Sequence, residues 1–504
     1  MLLSEIVQDL FVEKVAGSLK VNITGIAYNS NKVKPGNVFV CISGQKNDGH
    51  EYAASAIENG AAAIIVQKEG FDNLGVATVK VDNTRKSLAK MAARYFGFPQ
   101  RKLKLLGVTG TNGKTTTTYL VKSILESLGK NVGLIGTNQN IVGRSVTPSV
   151  HTTPDSLELM ELFTQMVEAE IEYVVMEVSS HSLELERVAA CEFEVAAFTN
   201  LTQDHLDFHG TMENYIAAKA KLFTMAKKSV INRDDGVSQT MIDISTGEVS
   251  TYGINNDSSV KAENLQLSAN GVEFDVSYKG KIARATLGIP GEFSAYNALA
   301  AIGICVAAGF DLEDVVVGLK SAEGVKGRIE VVETGLDFTV IIDYAHTPDG
   351  LDNVLRTIRG FANGRVITLF GCGGERDKSK RPQMGKIASE LSDFCIVTSD
   401  NPRGENPREI IDDIIKGMVE ETPEWASDGC QPPARRTQET DLTATGGSYI
   451  IIENRFEAIE FALDNANIGD VILLAGKGHE TYQVLQDRII DFDEREIVLK
   501  LLAD

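Results

Sequence analysis

Gly107-Val-Thr-Gly-Thr-Asn-Gly-Lys-Thr-Thr-Thr117 carries the strongest chemical signal in the sequence. A glycine-rich turn lets backbone N–H groups close on phosphate oxygens, and a following helix aims its N-terminus at them. Gly110, Thr111, Asn112 and Gly113 would form the turn. Lys114 would reach the β- and γ-phosphates of a nucleotide, and Thr115, followed by Thr116, is placed to ligate Mg²⁺ through its hydroxyl. The spacing departs from the strict phosphate-loop pattern, with glycines at 107, 110 and 113 and Val108 between them. The plain alternative is a glycine loop with a solvated lysine. An apolar run before the loop and a helical pattern after it favour phosphate binding.

Glu177 ends a second apolar run, Tyr173–Val178, just before Ser179-Ser-His-Ser182. A carboxylate at a strand end near a phosphate loop is where another Mg²⁺ ligand belongs; a surface acid is the other reading. The segment Thr199-Asn-Leu-Thr-Gln-Asp-His-Leu-Asp-Phe-His-Gly210 concentrates histidine and aspartate in a turn-rich stretch, with Lys219 and Lys221 on the helix that follows. It suits either a metal or phosphate role or a capped helix start. Four polar loops follow apolar runs in the C-terminal third: Asp343-Tyr-Ala-His-Thr-Pro348, Gly371-Cys-Gly-Gly-Glu-Arg-Asp-Lys-Ser-Lys-Arg381, Ser399-Asp-Asn-Pro-Arg403 and Gly476-Lys-Gly-His-Glu480. Together they offer cations (Arg376, Arg381, Arg403, Lys477) and anions (Asp400, Glu480). Arginine forks suit carboxylates and acids accept from ammonium groups, so a zwitterionic small molecule is the expected ligand. Arg403 could instead brace its own loop through backbone carbonyls.

These groups need a scaffold that brings strand ends together. Strand-like runs at Val38–Ile42, Ala62–Val66 and Val76–Val81 alternate with helical patterns at Tyr52–Glu58 and Arg85–Tyr95. Residues 97–102 read as a linker. Leu103–Val108 is the strand before the glycine loop, and Leu120, Ile124, Leu125 and Leu128 share one face of the helix after it. Residues 245–287 read as a small antiparallel insert and Ser294–Ala308 as a small-residue helix, with a second linker around Lys326–Val332. Phe338–Ile342, Val366–Phe370, Phe394–Thr398 and Val471–Ala475 then resume the α/β rhythm, with ligand loops at their carboxyl ends. The expected fold is α/β in three domains, 1–98, 99–330 and 331–504. The second is a P-loop-type parallel sheet with the antiparallel insert, and the third a Rossmann-like α/β domain. Residues 421–448 read as a long exposed loop.

Length and composition bound the function. A chain of 504 residues suits about three domains, and 43% hydrophobic with 24% charged residues is an ordinary globular balance. Lys and Arg total 49 against 70 Asp and Glu, a net charge of −21, which disfavours nucleic acid and anionic membranes as partners. Membrane insertion is not expected, because no apolar run approaches the roughly 20 residues of a membrane span. Glu5 and Asp9 stand where a secretory signal would be basic and then apolar, so a cytoplasmic location is expected. Cys41, Cys191, Cys305, Cys372, Cys395 and Cys430 show no CxxC pair and read as reduced structural thiols.

Taken together, the motifs closely resemble the Mur ligase family of ATP-dependent peptide-forming enzymes of peptidoglycan synthesis, over nearly the whole chain. The resemblance rests on GVTGTNGKTTT, EVSSHSLELERV, TNLTQDHLDFHG, Ala217-Ala-Lys219, PGEFSAYNALAA, GRIEVV, DYAHTPDGL, DNPR and GKGHETYQ. It implies UDP-substrate binding by 1–98, ATP binding by 99–330 and amino-acid binding by 331–504. Within the family it points to the branch that adds a third amino acid to UDP-N-acetylmuramoyl-L-Ala-D-Glu. ATP and Mg²⁺ would be the cofactors, and the protein a monomer. Glu177 and His205 would be metal ligands beside Thr115, and Lys219 a carbamylated lysine ligand. Lys114, Lys219 and His205 would be catalytic. Asn297, Arg328, Asp343 and His346 would contact the nucleotide. Ser30, Thr152, Thr153, Ser179 and Arg187 would contact the UDP-dipeptide; Asn29-Ser30-Asn31 stands where the family has Asp-Ser-Arg. Arg376, Asp400, Asn401, Pro402, Arg403, Gly476 and Glu480 would hold the amino acid, expected to be meso-diaminopimelate. The alternatives are L-lysine as the third residue or a folylpolyglutamate-synthase-like ligase. A nucleotide switch or motor would have no use for the zwitterion crevice.

Overall fold

Each strand-like apolar run singled out in the sequence contributes to a paired strand. The computed structural model describes all residues except 45–46, 269–270, 323, 419–447 and 504. Strands β1 (Val12–Ala16), β2 (Gly25–Ala27), β3 (Asn37–Val40), β4 (Ala63–Val66) and β5 (Ala77–Val81) form an N-terminal sheet of order β1-β5-β4-β3-β2, parallel except for β1. The Phe98-Pro99 stretch, expected as a linker, is ordered. Phe98 takes a left-handed turn (φ 57°) into a short helical turn, Pro99–Lys102, and Gln100 Nε2 donates to the Ala190 carbonyl at 3.0 Å.

The central sheet comprises β6 (Lys104–Thr109), β7 (Val132–Ile135), β8 (Gln139–Val142), β9 (Ser145–Pro148), β10 (Tyr173–Glu177), β11 (Phe193–Phe198), β12 (Ala226–Asn232), β13 (Glu248–Gly253), β14 (Val260–Ser268), β15 (Gly271–Tyr278) and β16 (Lys281–Leu287). Its order is β16-β15-β14-β13-β12-β11-β6-β10-β7-β8-β9. The residues expected as a small antiparallel insert, 245–287, extend this sheet: β13 and β14 pair in parallel with what precedes them, and β15 and β16 pair antiparallel. Side chains alternate between faces: Leu106, Val108 and Val175 enter one core and Leu105, Val174 and Met176 the other. The helix Lys114–Ser127 adds Leu120, Val121, Ile124 and Leu125 to the first core, each burial contributing about 1.5–3 kcal/mol.

The C-terminal sheet holds β17 (Glu330–Val332), β18 (Thr339–Asp343), β19 (Val366–Phe370), β20 (Phe394–Val397), β21 (Ser448–Ile451) and β22 (Val471–Ala475), in order β17-β18-β22-β19-β20-β21, parallel except for β17. Part of the expected second linker is therefore an edge strand. A hairpin of β23 (Tyr482–Val484) and β24 (Ile489–Asp491) completes the chain's strands among the described residues. The loop expected at 421–448 lies outside the described residues up to 447. Five cysteines are described, and all are buried and free. Among the described residues no helix is long and apolar enough to cross a membrane.

Candidate functional site

The glycine-rich loop leaves the carboxyl end of β6, flanked by the ends of β10 and β11. Residues after β11 buttress it. Thr199 Oγ1 donates to the Asn112 carbonyl at 2.7 Å, and the N–H groups of Thr111 and Asn112 donate to the Asn200 carbonyl and Oδ1, both at 2.9 Å. This closeness dictates the glycines. At Gly110 (φ 155°) a Cβ would lie 1.8 Å from Thr199 Oγ1, and at Gly113 (φ 82°) 2.3 Å from Asn297 Oδ1. Lys114 folds back and donates to the Gly110 and Thr111 carbonyls at 2.9 and 2.8 Å. Lys219, 1% exposed, donates to the same Gly110 carbonyl at 2.8 Å. Burial, reinforced by the neighbouring Lys114 charge, holds the Lys219 amine well below the ordinary lysine range. Two amines thus meet at one neutral carbonyl, an arrangement suited to an incoming polyanion.

Glu177 is fully buried and is not a surface acid. It accepts from Thr137 N–H (2.8 Å), Thr137 Oγ1 (2.9 Å) and Thr115 Oγ1 (3.0 Å). Arg328 Nη2 reaches Thr115 Oγ1 at 3.3 Å from the start of the C-terminal unit. His205 takes a left-handed backbone (φ 54°), with Nε2 3.4 Å from Asp204 Oδ2 and its ring edge-on to His181 at 4.7 Å. Burial pushes His205 down to about 3, so its imidazole is neutral and able to ligate a metal. The helix-start reading of this segment holds as well. Thr211 caps the helix Met212–Ala220, and His209 Nε2 pairs with Ser180 Oγ at 2.9 Å.

A cavity of about 630 Å³ opens between the central and C-terminal sheets. Gly113, Thr115, Thr116, Asn297, Arg328, Asp343 and His346 all line it, so the structure brings together residues from positions 113 to 346. Arg328 lies over the Tyr344 ring at 4.6 Å. Asp343 accepts from the N–H groups of Ile329 and Ala345, each at 2.7 Å, and so pins the entry and exit of its loop. His346 Nδ1 pairs with the Tyr344 carbonyl at 2.8 Å, and burial and the Lys380 charge lower the ring to about 4. The far end contains residues that sequence reasoning missed. Asp234 gathers the N–H groups of Ile254, Asn255 and Asn256 and the Tyr296 hydroxyl (2.9 Å), and Asp235 accepts from Leu201 N–H at 2.8 Å. Asn232-Arg-Asp-Asp235 follows a parallel strand, and that placement was the available signal.

Thr152, Thr153, Ser179 and Arg187 form one cluster. Thr137 Oγ1 and Thr152 Oγ1 lie 3.1 Å apart, Thr153 Oγ1 donates to the Glu177 carbonyl at 2.8 Å and accepts from Ser179 N–H at 3.1 Å. Arg187 donates to the Thr153 carbonyl at 2.9 Å and pairs with Asp155 at 2.7 Å. Ser30 stands apart in the N-terminal unit, where it opens the short helical turn Ser30–Lys32, its carbonyl accepting from Asn59 Nδ2 at 3.0 Å.

Asp400, Asn401, Pro402, Arg403, Gly476 and Glu480 converge beside β23. Asn401 Nδ2 and the buried Lys477 Nζ donate to Glu480 Oε2 at 2.8 and 3.1 Å, and Asn401 Oδ1 accepts from Val484 N–H at 2.9 Å. Burial and the Asp400 charge raise Glu480 above its ordinary range. Asp400 Oδ1 is buried with no hydrogen-bond partner. Arg403 (φ 52°) braces the loop as the alternative reading foresaw, with Nη1 donating to the Gly374 carbonyl at 2.8 Å. Its Nε and Nη2 meet no acceptor among the described residues and remain able to fork onto a carboxylate. Arg376 is exposed at the mouth. Arg381 does not belong to the crevice: it is 1% exposed and pairs with Glu405 and Asp413.

Three family models match in succession: the Mur ligase family, catalytic domain over 22–96, the Mur ligase middle domain over 108–305 and the Mur ligase, glutamate ligase domain over 327–478. A UDP-N-acetylmuramoyl-L-alanyl-D-glutamate--2,6-diaminopimelate ligase of Caldanaerobacter subterraneus subsp. tengcongensis is 49% identical over 97% of each chain. A ligase of the same description, numbered 1, from Clostridium acetobutylicum is 47% identical over the full length of both. A solved structure of such a ligase superposes with a TM-score of 0.68 at 30% identity, covering 100% of this chain and 99% of that one. MurF ligase from Thermotoga maritima, solved with ADP, shares the fold at TM-score 0.62 and 18% identity, over 96% of this chain and 97% of that one.

Proposed function

The chain belongs to the Mur ligase family, and we propose that it joins meso-2,6-diaminopimelate to the D-Glu γ-carboxylate of UDP-N-acetylmuramoyl-L-Ala-D-Glu, driven by ATP, in peptidoglycan precursor synthesis. The observation that carries this reading is full-length identity of 47–49% to diaminopimelate ligases. The crevice chemistry agrees with it: a second amino-acid head needs a cation for its carboxylate and acids for its ammonium group, and Arg403, Asp400 and Glu480 offer both. In this reading residues 1–98 bind the UDP moiety with Ser30, residues 99–330 bind ATP, and residues 331–504 bind the amino acid.

The reaction runs in two steps. A γ-carboxylate oxygen bonds to the ATP γ-phosphorus while the bond to the bridging oxygen breaks and ADP leaves. The amine nitrogen then bonds to the acyl carbon, the carbon–oxygen bond to phosphate breaks, and the amine gives up a proton. Lys114 exchanges its loop carbonyls for phosphate oxygens as ATP enters. Arg328 and His346 close the cavity over the nucleotide, and Thr152, Thr153, Ser179 and Arg187 orient the dipeptide. Thr115 and Glu177 present hard oxygens to each other at 3.0 Å, a donor pair that fits Mg²⁺, which when bound offsets phosphate charge. His205 offers a neutral ring nitrogen to a second ion. Lys219 offers only an amine in its unmodified form, and carbamylation would turn it into an oxygen ligand.

Phosphate release from ATP should require both the UDP-dipeptide and diaminopimelate. In direct competition the protein should prefer diaminopimelate over L-lysine, by up to about 10⁴-fold where a polar group built for one ligand is left unpaired by the other. Arg403→Ala should erase most of that preference. Equal use of lysine, or a preference untouched by the substitution, overturns the assignment.

A further inference from the structure

Gln483 is the one buried residue on the two strands of the β23–β24 hairpin, 5% exposed where Tyr482, Ile489 and Asp491 face solvent. The hairpin follows directly from the loop that carries Lys477 and Glu480, and a cavity of about 910 Å³ is lined in part by its Thr481, Leu485 and Ile490. Two short antiparallel strands are marginal by themselves in water, so this pair depends on what it docks against. A buried polar side chain there must be matched by a hydrogen bond, a demand that an apolar residue would not make.

The docking partner is the Ser399-Asp-Asn-Pro-Arg403 loop. Gln483 Nε2 donates to the Asp400 carbonyl at 2.5 Å, Val484 N–H to Asn401 Oδ1 at 2.9 Å, and Arg403 N–H to the Val484 carbonyl at 3.2 Å. Two adjacent hairpin residues thus grip three residues of the loop. The loop in turn holds the other side of the crevice, because Asn401 Nδ2 donates to Glu480 Oε2 at 2.8 Å. Arg403 needs such a hold. Its backbone is left-handed (φ 52°), a conformation that a non-glycine residue keeps only where its surroundings enforce it. The hairpin therefore sets the separation between the Glu480 carboxylate and the Arg403 guanidinium.

We propose that Gln483 is a positioning residue for amino-acid selection: by holding the Asp400 carbonyl it fixes the spacing between the acid and the arginine that receive the ammonium and carboxylate of the incoming amino acid's far head. It acts through the loop and not on the substrate itself. L-Lysine carries no carboxylate at that end, so its binding gains little from the spacing, whereas that of diaminopimelate depends on it. This inference rests on the ligase reading above.

The test compares full-length wild type with two variants. Gln483→Met keeps the length of the side chain without its N–H, and Gln483→His carries a ring N–H that reaches about as far as the amide. Thermal midpoint, KM for ATP and for the UDP-dipeptide, and KM and kcat/KM for diaminopimelate and L-lysine are measured. Gln483→Met should raise KM for diaminopimelate about tenfold, the scale of one lost buried hydrogen bond, with KM for ATP and for the UDP-dipeptide within about twofold of wild type. Its preference for diaminopimelate over lysine should fall about tenfold, and Gln483→His should recover at least about threefold of that loss. An active wild type beside a Gln483→Met variant whose KM for diaminopimelate is unchanged overturns this inference alone. So does a rise shared equally by all the KM values, or a lowered thermal midpoint that Gln483→His restores without restoring the preference; either marks a packing role. Wild type that makes no tripeptide from diaminopimelate overturns the ligase reading and this inference with it.

Discussion

At the scale of single residues, the balance between burial and charge decides what each group can do. Lys219 shows this most sharply. It is almost fully buried, its one hydrogen-bond acceptor among the described residues is the Gly110 carbonyl, and the Tyr215 ring lies 4.4 Å away. Burial favours the neutral amine, which is the form that can add to CO₂ and lose a proton to become a carbamate. Lys219→Ala should reduce ligation by more than about 100-fold, with partial recovery in added acetate or formate as a substitute oxygen ligand. An active wild type whose native mass shows an unmodified amine would sink this assignment.

At the scale of elements, the helices Lys380–Leu391 and Pro407–Ile415 are clamped by charge as well as by apolar contact. Arg381 bridges Glu405 and Asp413, and Lys378 also reaches Glu405 at 2.9 Å. Burial alone would raise Glu405. The Glu375 N–H, Lys378 and Arg381 outweigh it and lower the carboxyl to about 2. The folded pKa lies below the unfolded one, so this stabilisation is complete above about pH 4.5 and is lost as pH falls toward 2. Acid titration of urea-unfolding midpoints should show a shallower loss between pH 4.5 and 2 in Glu405→Gln than in wild type. Parallel slopes would show that the clamp carries no such linkage.

At the scale of the whole molecule, few side-chain hydrogen bonds join the central and C-terminal units among the described residues. Asn112 Nδ2 donates to Asp349 Oδ2 at 2.6 Å, Gln203 Nε2 to Ser379 Oγ at 2.8 Å and Asp377 Oδ2 at 3.4 Å, Arg328 Nη2 to Thr115 Oγ1 at 3.3 Å, and Asn138 Nδ2 to the Lys326 carbonyl at 3.1 Å. A cavity closed by so few bonds opens at modest cost, as substrate entry requires. Removing the Asn112–Asp349 bond should shift the equilibrium toward the open form by about 1 kcal/mol. Asp349→Ala should then lower kcat/KM for ATP about five- to tenfold and raise the radius of gyration in solution scattering. Unchanged scattering and unchanged kcat/KM would exclude a closing role for this contact.

Local chemistry made much of this protein readable from its sequence. The glycine loop, its strand and its helix follow from residue types at short spacing, because backbone conformation there is dictated by neighbours in the chain. The parallel α/β rhythm follows from apolar periodicity for the same reason. What needed the tertiary structure is what depends on partners far along the chain. Nothing local reveals that Gly113 must be glycine because Asn297 crowds it, that β13 and β14 continue the central sheet, or that Asp234 faces the cavity. Charge was the least readable property of all. Arg381 and Arg403 look alike in sequence, yet one is consumed by Glu405 and Asp413 while the other keeps part of its fork open. Only packing in three dimensions decides which charges are neutralised by the fold and which are left for a ligand.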